Sequence, residues 1–316
     1  MDWRIKGTIQ KLLSVVPGGV RANDLLQRTV GQLRHFEVNV GSKVYDWSIH
    51  VDHLNSLELS IEGKRVFEIG TGWFPTLPVC FWLVGAGSCL TYDLNRHLDQ
   101  SLSFRMVRAL GGQLDRIADT VNLDRAVVAE RHRELLRARD LDELLARAHI
   151  EYHAPADATT SGLPDGSVDI IFSNSVLEHV PPAVLDALMR ESYRILRPGG
   201  LVVHSVNCGD HYAYFDKRIN FMNYLQYSEA EWQRWNNDLQ YQNRLRPQDF
   251  VDVTIEAGFD MLICMREPKP DLLAALPSTR IAPEFAHYPP EELAAKSVDI
   301  VATKPVPTHA DGGHAG

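Results

Sequence analysis

Apolar positions along this chain come in short continuous runs separated by longer stretches with a helical period. Val66-Phe67-Glu68-Ile69 runs into Gly70-Thr71-Gly72, and Ser88-Cys89-Leu90-Thr91-Tyr92 ends on Asp93. Runs of four to eight apolar or β-branched residues bounded by turn residues predict buried strands. On this basis strands are expected at 65–69, 88–93, 168–173, 201–205, 260–265 and 297–303. Between them, 76–85 reads as an apolar helix. Residues 182–196 place Val184, Leu185, Leu188, Ile195 and Leu196 at helical spacing before Arg197-Pro198-Gly199-Gly200 stops them, and 247–257 ends at Gly258. Buried strands alternating with helices predict an α/β fold with a doubly wound, mostly parallel sheet. No helical crossover separates the last two strands, which allows an antiparallel edge.

Three stretches stand outside that alternation: 1–60, 97–150 and 207–245. They are expected to be an N-terminal helical extension (1–60) and two insertions in one domain spanning 61–303, followed by a disordered tail at 304–316. In the first, Ile5, Ile9, Leu12, Leu13 and Val16 share one helical face, ended by Pro17-Gly18-Gly19. Residues 1–40 carry six Lys/Arg against three Asp/Glu. Such a helix either rests weakly on an anionic membrane surface or packs on its own domain. The second stretch mixes Arg, Glu and Asp at i,i+4 spacing, the mark of solvated helix faces. The third holds nine of the chain's 27 aromatic residues, a local core or a ligand wall.

Composition narrows the function. Lys plus Arg is 32 against 41 Asp plus Glu, a formal charge of −9 over 316 residues. A broad basic surface for nucleic acid is therefore not expected. The cysteines, Cys80, Cys89, Cys208 and Cys264, form no C-x-x-C pair and read as free buried thiols of a reducing compartment. No run of 18 apolar residues occurs and the N-terminus does not read as a secretory signal, so a cytoplasmic protein is expected.

The chemistry is expected around Glu68-Ile69-Gly70-Thr71-Gly72-Trp73-Phe74-Pro75. Glycines between a strand and a helix let the backbone approach a ligand closely. A dinucleotide loop wants a third glycine where Pro75 stands, and a phosphate loop wants G-K-[ST], so neither pyrophosphate nor a nicotinamide cofactor is favoured. An acid in the loop, Glu68, suits a cationic ligand. A second acid at the next strand end, Asp93, 21 residues after Gly72, suits ribose hydroxyls. S-adenosyl-L-methionine has both features.

At this point the chain resembles the class I S-adenosylmethionine-dependent methyltransferases, of the kind that act on small molecules and sugars. The resemblance rests on Glu68-Ile69-Gly70-Thr71-Gly72, Asp93, Asp157-Ala158, Phe172 to Val180 (FSNSVLEHV) and Leu196 to Leu201 (LRPGGL), in that order. It implies a seven-stranded Rossmann-like sheet with helical insertions and S-adenosyl-L-methionine as cosubstrate. It also implies site roles. Glu68, Gly70, Thr71 and Gly72 would hold the methionine part and pass along the ribose. Asp93 would accept from the ribose hydroxyls, Asp157 and Ala158 would flank the adenine, and Ser173 and Asn174 would face the methionine end. Glu178-His179 either closes the site or merely starts a helix. Trp73-Phe74-Pro75 departs from the family's small residues.

The acceptor is expected outside the strand ends, where Asn207 to Tyr212 begins. His211 is the candidate general base and Asp210 its polar neighbour. His204 lies on a buried strand and reads as core. Aromatics beside Asn, Asp and Arg in 207–245, including Arg244, with Arg246 just beyond, suit a sugar or an anionic group. The function expected is O-methylation of a sugar, glycolipid or other small hydroxylated acceptor, a glycan modification. N- or C-methylation and a non-catalytic S-adenosylmethionine-binding protein are the alternatives. No metal is expected: Asp210 and His211 suggest a pair, but no set of three or four ligands is evident. The oligomeric state is not legible.

Overall fold

The computed structural model describes residues 2–16 and 35–307. Pro17-Gly18-Gly19, the middle of the basic N-terminal segment and residues 308–316 lie outside the described residues. The chain runs α1 (Trp3–Val15), α2 (Phe36–Ser56), β1 (Arg65–Ile69), α3 (Thr76–Leu83) and β2 (Ser88–Tyr92). Then follow α4 (Gln100–Leu110), α5 (Leu114–Thr120), α6 (Arg125–Leu136), α7 (Leu141–Arg147) and β3 (Ile150–His153). The second half comprises β4 (Val168–Asn174), α8 (Pro182–Ile195), β5 (Leu196–Asn207), α9 (Tyr212–Phe215), α10 (Glu229–Trp232), α11 (Pro247–Glu256), β6 (Asp260–Pro268), α12 (Pro270–Ala275), α13 (Pro290–Ala294) and β7 (Ala295–Thr303).

The seven strands form one sheet in the order β3-β2-β1-β4-β5-β7-β6. The first five are parallel, and β7 runs antiparallel to both its neighbours. The antiparallel strand is thus inserted between β5 and β6 rather than at the edge. It closes a hairpin-like pair with β6, the connection being short helical turns instead of a packed crossover helix. The seventh strand, β3, has no counterpart among the strands read from the sequence. It is four residues long and only Ile150 is buried, so it lacks the apolar run that marks the others.

Each face of the sheet carries its own apolar layer. On one, α2 to α7 cover Val66, Ile170, Phe172 and Val203. On the other, α8 and α11 cover Phe67, Leu90, Ile171 and Val202. Alternation along each strand produces the division, since successive side chains point to opposite faces. Helix α2 belongs to this core. Phe36, Val40, Val44, Trp47, Val51 and Leu54 are spaced by four, four, three, four and three residues, and all are buried.

Helix α1 packs on its own domain, through a different face from the one expected. Trp3 and Gly7 are buried, and the Trp3 ring lies 4.9 Å from Trp235 and 5.4 Å from Tyr212. A Cβ on Gly7 would meet Tyr212 Oη at 2.8 Å, so glycine permits the close approach. The expected stripe faces outward: Ile5 is 54% exposed, Leu12 60% and Val16 54%. The aromatic stretch is mainly a third core. Tyr212, Tyr224 and Trp232 are buried with Trp3, Leu272, Phe285 and Leu293.

Candidate active site

The C-terminal ends of β1, β2, β4 and β5 open onto one region, as parallel sheets require of their ligand sites. Gly70 and Gly72 have φ of +86° and +70°, conformations that favour glycine. A Cβ on Gly70 would lie 2.6 Å from Val176 Cγ2, whereas the space beside Gly72 is open. The Gly72 N–H donates to Asp93 Oδ2 at 3.0 Å and the Asn95 N–H to Asp93 Oδ1 at 3.1 Å. Both oxygens keep further acceptor capacity. Phe74 is buried and its ring lies 5.0 Å from Phe36, so the bulky part of the loop is anchored to α2.

Glu68 is buried at the floor, where Thr91 Oγ1 donates to its Oε2, and Thr71 and Thr91 share a hydroxyl hydrogen bond. Burial pushes the Glu68 carboxyl up to about 8, against the opposing effects of Thr91 and Lys43. The Ala156 N–H donates to the Asp93 carbonyl at 2.9 Å and brings the Asp157 segment alongside. Asp157 is exposed, and its Oδ1 accepts from Thr159 N at 2.9 Å and Oγ1 at 2.8 Å. Ala158, beside it, is partly buried. Thus the glycine loop, Asp93 and the segment carrying Asp157 and Ala158 are tied together at the ends of β1 and β2, with Glu68 buried nearby.

Ser173 and Asn174 diverge. The Ser173 hydroxyl is buried in a 2.8 Å hydrogen bond with His204 Nδ1, inside the core and away from the cleft mouth. His204 is fully buried, and burial lowers its pKa to about 3. Asn174 points the other way, its Nδ2 donating to Asp46 Oδ2 of α2 at 3.2 Å. Lys43, Asp46, His50 and His53, at spacings of three, four and three, form a polar stripe through the apolar face of α2. His53 Nε2 lies 3.3 Å from Asp299 Oδ2, whose Oδ1 accepts from Ser205 Oγ at 2.6 Å. His50 is fully buried, and burial lowers its pKa to about 4. This wall was missed because α2 precedes every recognisable motif; its helical spacing was the available signal.

His211 and Asp210 follow β5, but they are not partners. Asp210 is fully buried and accepts from Asn223 Nδ2 at 2.7 Å and Tyr212 N at 2.8 Å. It serves the loop, and burial raises its pKa to about 7. His211 instead faces Glu178, with 3.8 Å between Nε2 and Oε1. Burial lowers His211 to about 3 and raises Glu178 to about 8. The His179 ring is 5.0 Å from that of His211. Arg244 and Arg246 do not offer an anion site: Arg244 binds the carbonyls of Tyr224 and Tyr227, and Arg246 those of Cys208, Glu292 and Ala295.

Residues 114–204 match the family model "Methyltransferase domain". An arsenite methyltransferase of Aquipseudomonas alcaligenes is 37% identical over 70 residues, 18% of this chain and 20% of that protein. The match spans about a fifth of that relative's length. A methyltransferase from Methanosarcina mazei, described as S-adenosylmethionine-dependent, is 12% identical with a TM-score of 0.45, covering 79% of this chain and 95% of that one. Geranyl diphosphate methyltransferase, solved with geranyl diphosphate and sinefungin, is 12% identical with a TM-score of 0.48, covering 82% and 77%.

Proposed function

We propose that this chain is a class I S-adenosylmethionine-dependent methyltransferase, a reading supported by the methyltransferase-domain match over residues 114–204, and that it methylates an oxygen of a sugar, glycolipid or other small hydroxylated acceptor. One observation carries the reading. On the turn after β5, facing Glu178, stands the half-buried imidazole of His211, whose Nε2 is shielded from solvent and has no hydrogen-bond partner among the described residues. A hydroxyl acceptor must lose a proton as its oxygen bonds to the methyl carbon and the carbon–sulfur bond breaks, leaving S-adenosylhomocysteine. A neutral imidazole can take that proton, and the charge growing on it favours ionisation of Glu178 beside it, whose own proton passes to solvent. The Tyr214 ring, 48% exposed and 5.8 Å from His211, offers an apolar face for the C–H surface of a sugar.

The arsenite relative suggests a second kind of acceptor, but a soft arsenic centre calls for thiolates. Here Cys80, Cys89 and Cys208 are buried, and burial raises all three, Cys208 to about 12.

Turnover of labelled donor on a panel of sugars, lipid-linked sugars, phenols and amines tests the reading. Hydroxylated acceptors are expected to be labelled. Labelling of amines or carbon acceptors alone would replace it with N- or C-methylation, and donor binding without turnover on any acceptor would leave a binding protein. His211→Ala is expected to lower kcat roughly a hundredfold or more with S-adenosylhomocysteine affinity unchanged, the usual range for a lost general base. Equal effects on both would remove His211 from that role.

A further inference from the structure

We propose that Glu178, His179 and His211 form a binding site for a divalent transition-metal ion, a ligand set that was not evident from the sequence. Their ligand atoms all lie within 4.8 Å of one another, and the Glu178 Oε1 to His211 Nε2 distance is 3.8 Å. Bonds of about 2.0–2.2 Å from a central ion span such a triangle after small side-chain adjustments.

Three further observations point to a cation. Both Glu178 carboxylate oxygens and His211 Nε2 are buried without a hydrogen-bond partner among the described residues. Buried polar atoms are normally paired, so three orphan lone-pair atoms converging on one spot call for an electrophile between them. Second, His179 Nδ1 lies 2.5 Å from the Tyr241 carbonyl oxygen. A carbonyl only accepts, so Nδ1 carries the proton and Nε2 presents its lone pair, the arrangement that orients histidine ligands.

Third, the strand-end turns carrying these residues are held by one segment, Tyr241-Gln242-Asn243. Gln242 Oε1 accepts from His211 N at 2.9 Å, and Gln242 Nε2 donates to the Gly209 carbonyl at 3.0 Å. The Asn243 N–H donates to the Glu178 carbonyl at 2.9 Å, and its Nδ2 to those of Leu177 at 2.8 Å and Val180 at 2.9 Å. The site is therefore held in place from outside its ligands, as metal sites are.

Two imidazoles and a carboxylate favour manganese, iron, cobalt or zinc over magnesium or calcium. Glu178 is buried while His179 is exposed, so the solvent side of the ion stays open to oxygen ligands. Its use in catalysis rests on the methyltransferase reading. An ion held by Glu178, His179 and His211 would supply Lewis-acid activation of an acceptor hydroxyl, whose proton would pass to water as its oxygen takes the methyl group and the carbon–sulfur electron pair stays on sulfur; His211 would then be a ligand, and its role as base belongs to the metal-free protein.

The test uses the full chain dialysed against a chelator and titrated with Mn2+ by electron paramagnetic resonance and with Co2+ by visible absorption. One ion per chain is expected, with cobalt bands reporting histidine ligation. Glu178→Gln, His179→Ala and His211→Ala should each weaken binding at least tenfold, and Asn243→Ala about tenfold or more through lost positioning. Because His179 is exposed, His179→Ala keeps the test open should the buried variants misfold. Parent and the E178Q/H179A double variant binding either ion equally would overturn the proposal. Calorimetry with S-adenosylhomocysteine on the same samples separates the two readings. Ion binding without it leaves the metal site and removes the donor site; the reverse removes the metal site alone.

Discussion

Asp93 and Glu68 are both acids at strand ends, yet their surroundings give them different work. Asp93 is partly exposed and holds the glycine loop through the Gly72 N–H. Asp93→Ala is expected to cost S-adenosylhomocysteine binding roughly ten- to a hundredfold, the range of hydrogen bonds to a charged group. Calorimetry showing unchanged affinity would remove the ribose role. Glu68 is buried with a pKa of about 8 and is therefore protonated at pH 7. A cationic ligand favours its ionised form, so donor binding should displace the proton. Affinity should rise between pH 6 and 8 and level off above, and calorimetry in buffers of different ionisation enthalpy should record proton release at pH 7. Neither effect should survive in Glu68→Gln.

Helices α1 and α2 show how one period can serve two purposes. In α2 the apolar positions fill the core and the interleaved Lys43, Asp46, His50 and His53 wall the site. In α1 a tryptophan and a glycine dock on the aromatic core while an apolar stripe faces outward. Trp3 sits among Tyr212, Tyr227, Trp232 and Trp235. Trp3→Ala should destabilise the protein by about 3–5 kcal/mol, the usual cost of truncating a buried tryptophan, measured by denaturant unfolding. We propose that the outward stripe of Ile5, Ile9, Leu12 and Val16, with Arg4 and Lys11 beside it, lends weak affinity for anionic membranes. Co-sedimentation with anionic vesicles at low salt should be reduced by an Ile5→Ser/Leu12→Ser double variant. No co-sedimentation by the parent would discard the idea. No helix among the described residues is long and apolar enough to cross a membrane.

Across the whole molecule, the buried titratable groups set a pH profile for the ligand-free protein. Glu68 and Glu178 titrate near 8 and Asp210 near 7, against ordinary values of 4.5 and 3.8. The folded state thus keeps protons that the unfolded state has released, and stability falls as pH rises from about 6.5 through 8. His50, His204 and His211 titrate near 4, 3 and 3 against 6.5, so the unfolded state takes up protons first as pH falls. Between about 4.5 and 6.5 the two sets oppose each other, and below that range the histidines dominate and stability is lost. The melting temperature should peak between about pH 4.5 and 6.5 and decline toward pH 8.5. A melting temperature that climbs from 6.5 to 8.5 would contradict the burial of the two glutamates.

Local pattern determined six of the seven strands, all but the half-exposed β3, together with the glycine loop and the acid after β2, because a buried strand needs a continuous apolar run and a close backbone approach needs glycine. Ordered motif blocks carried the methyltransferase reading for the same reason: each is a short stretch whose chemistry is complete within itself. What the local pattern could not determine was which side chains meet. Ser173 and Asn174 are neighbours in sequence, but strand alternation sends one to His204 and the other to Asp46. Asp210 and His211 are adjacent, yet a turn directs one to Asn223 and the other to Glu178. The stripe on α1 has the period of a packed face, but the bulk of Trp3 and the bareness of Gly7 decided which side docks. Glu178, His179 and His211 lie on two strand-end loops bound together by Tyr241-Gln242-Asn243. Their convergence is a product of sheet order and hydrogen bonding over more than 60 residues, and only the tertiary structure decided it.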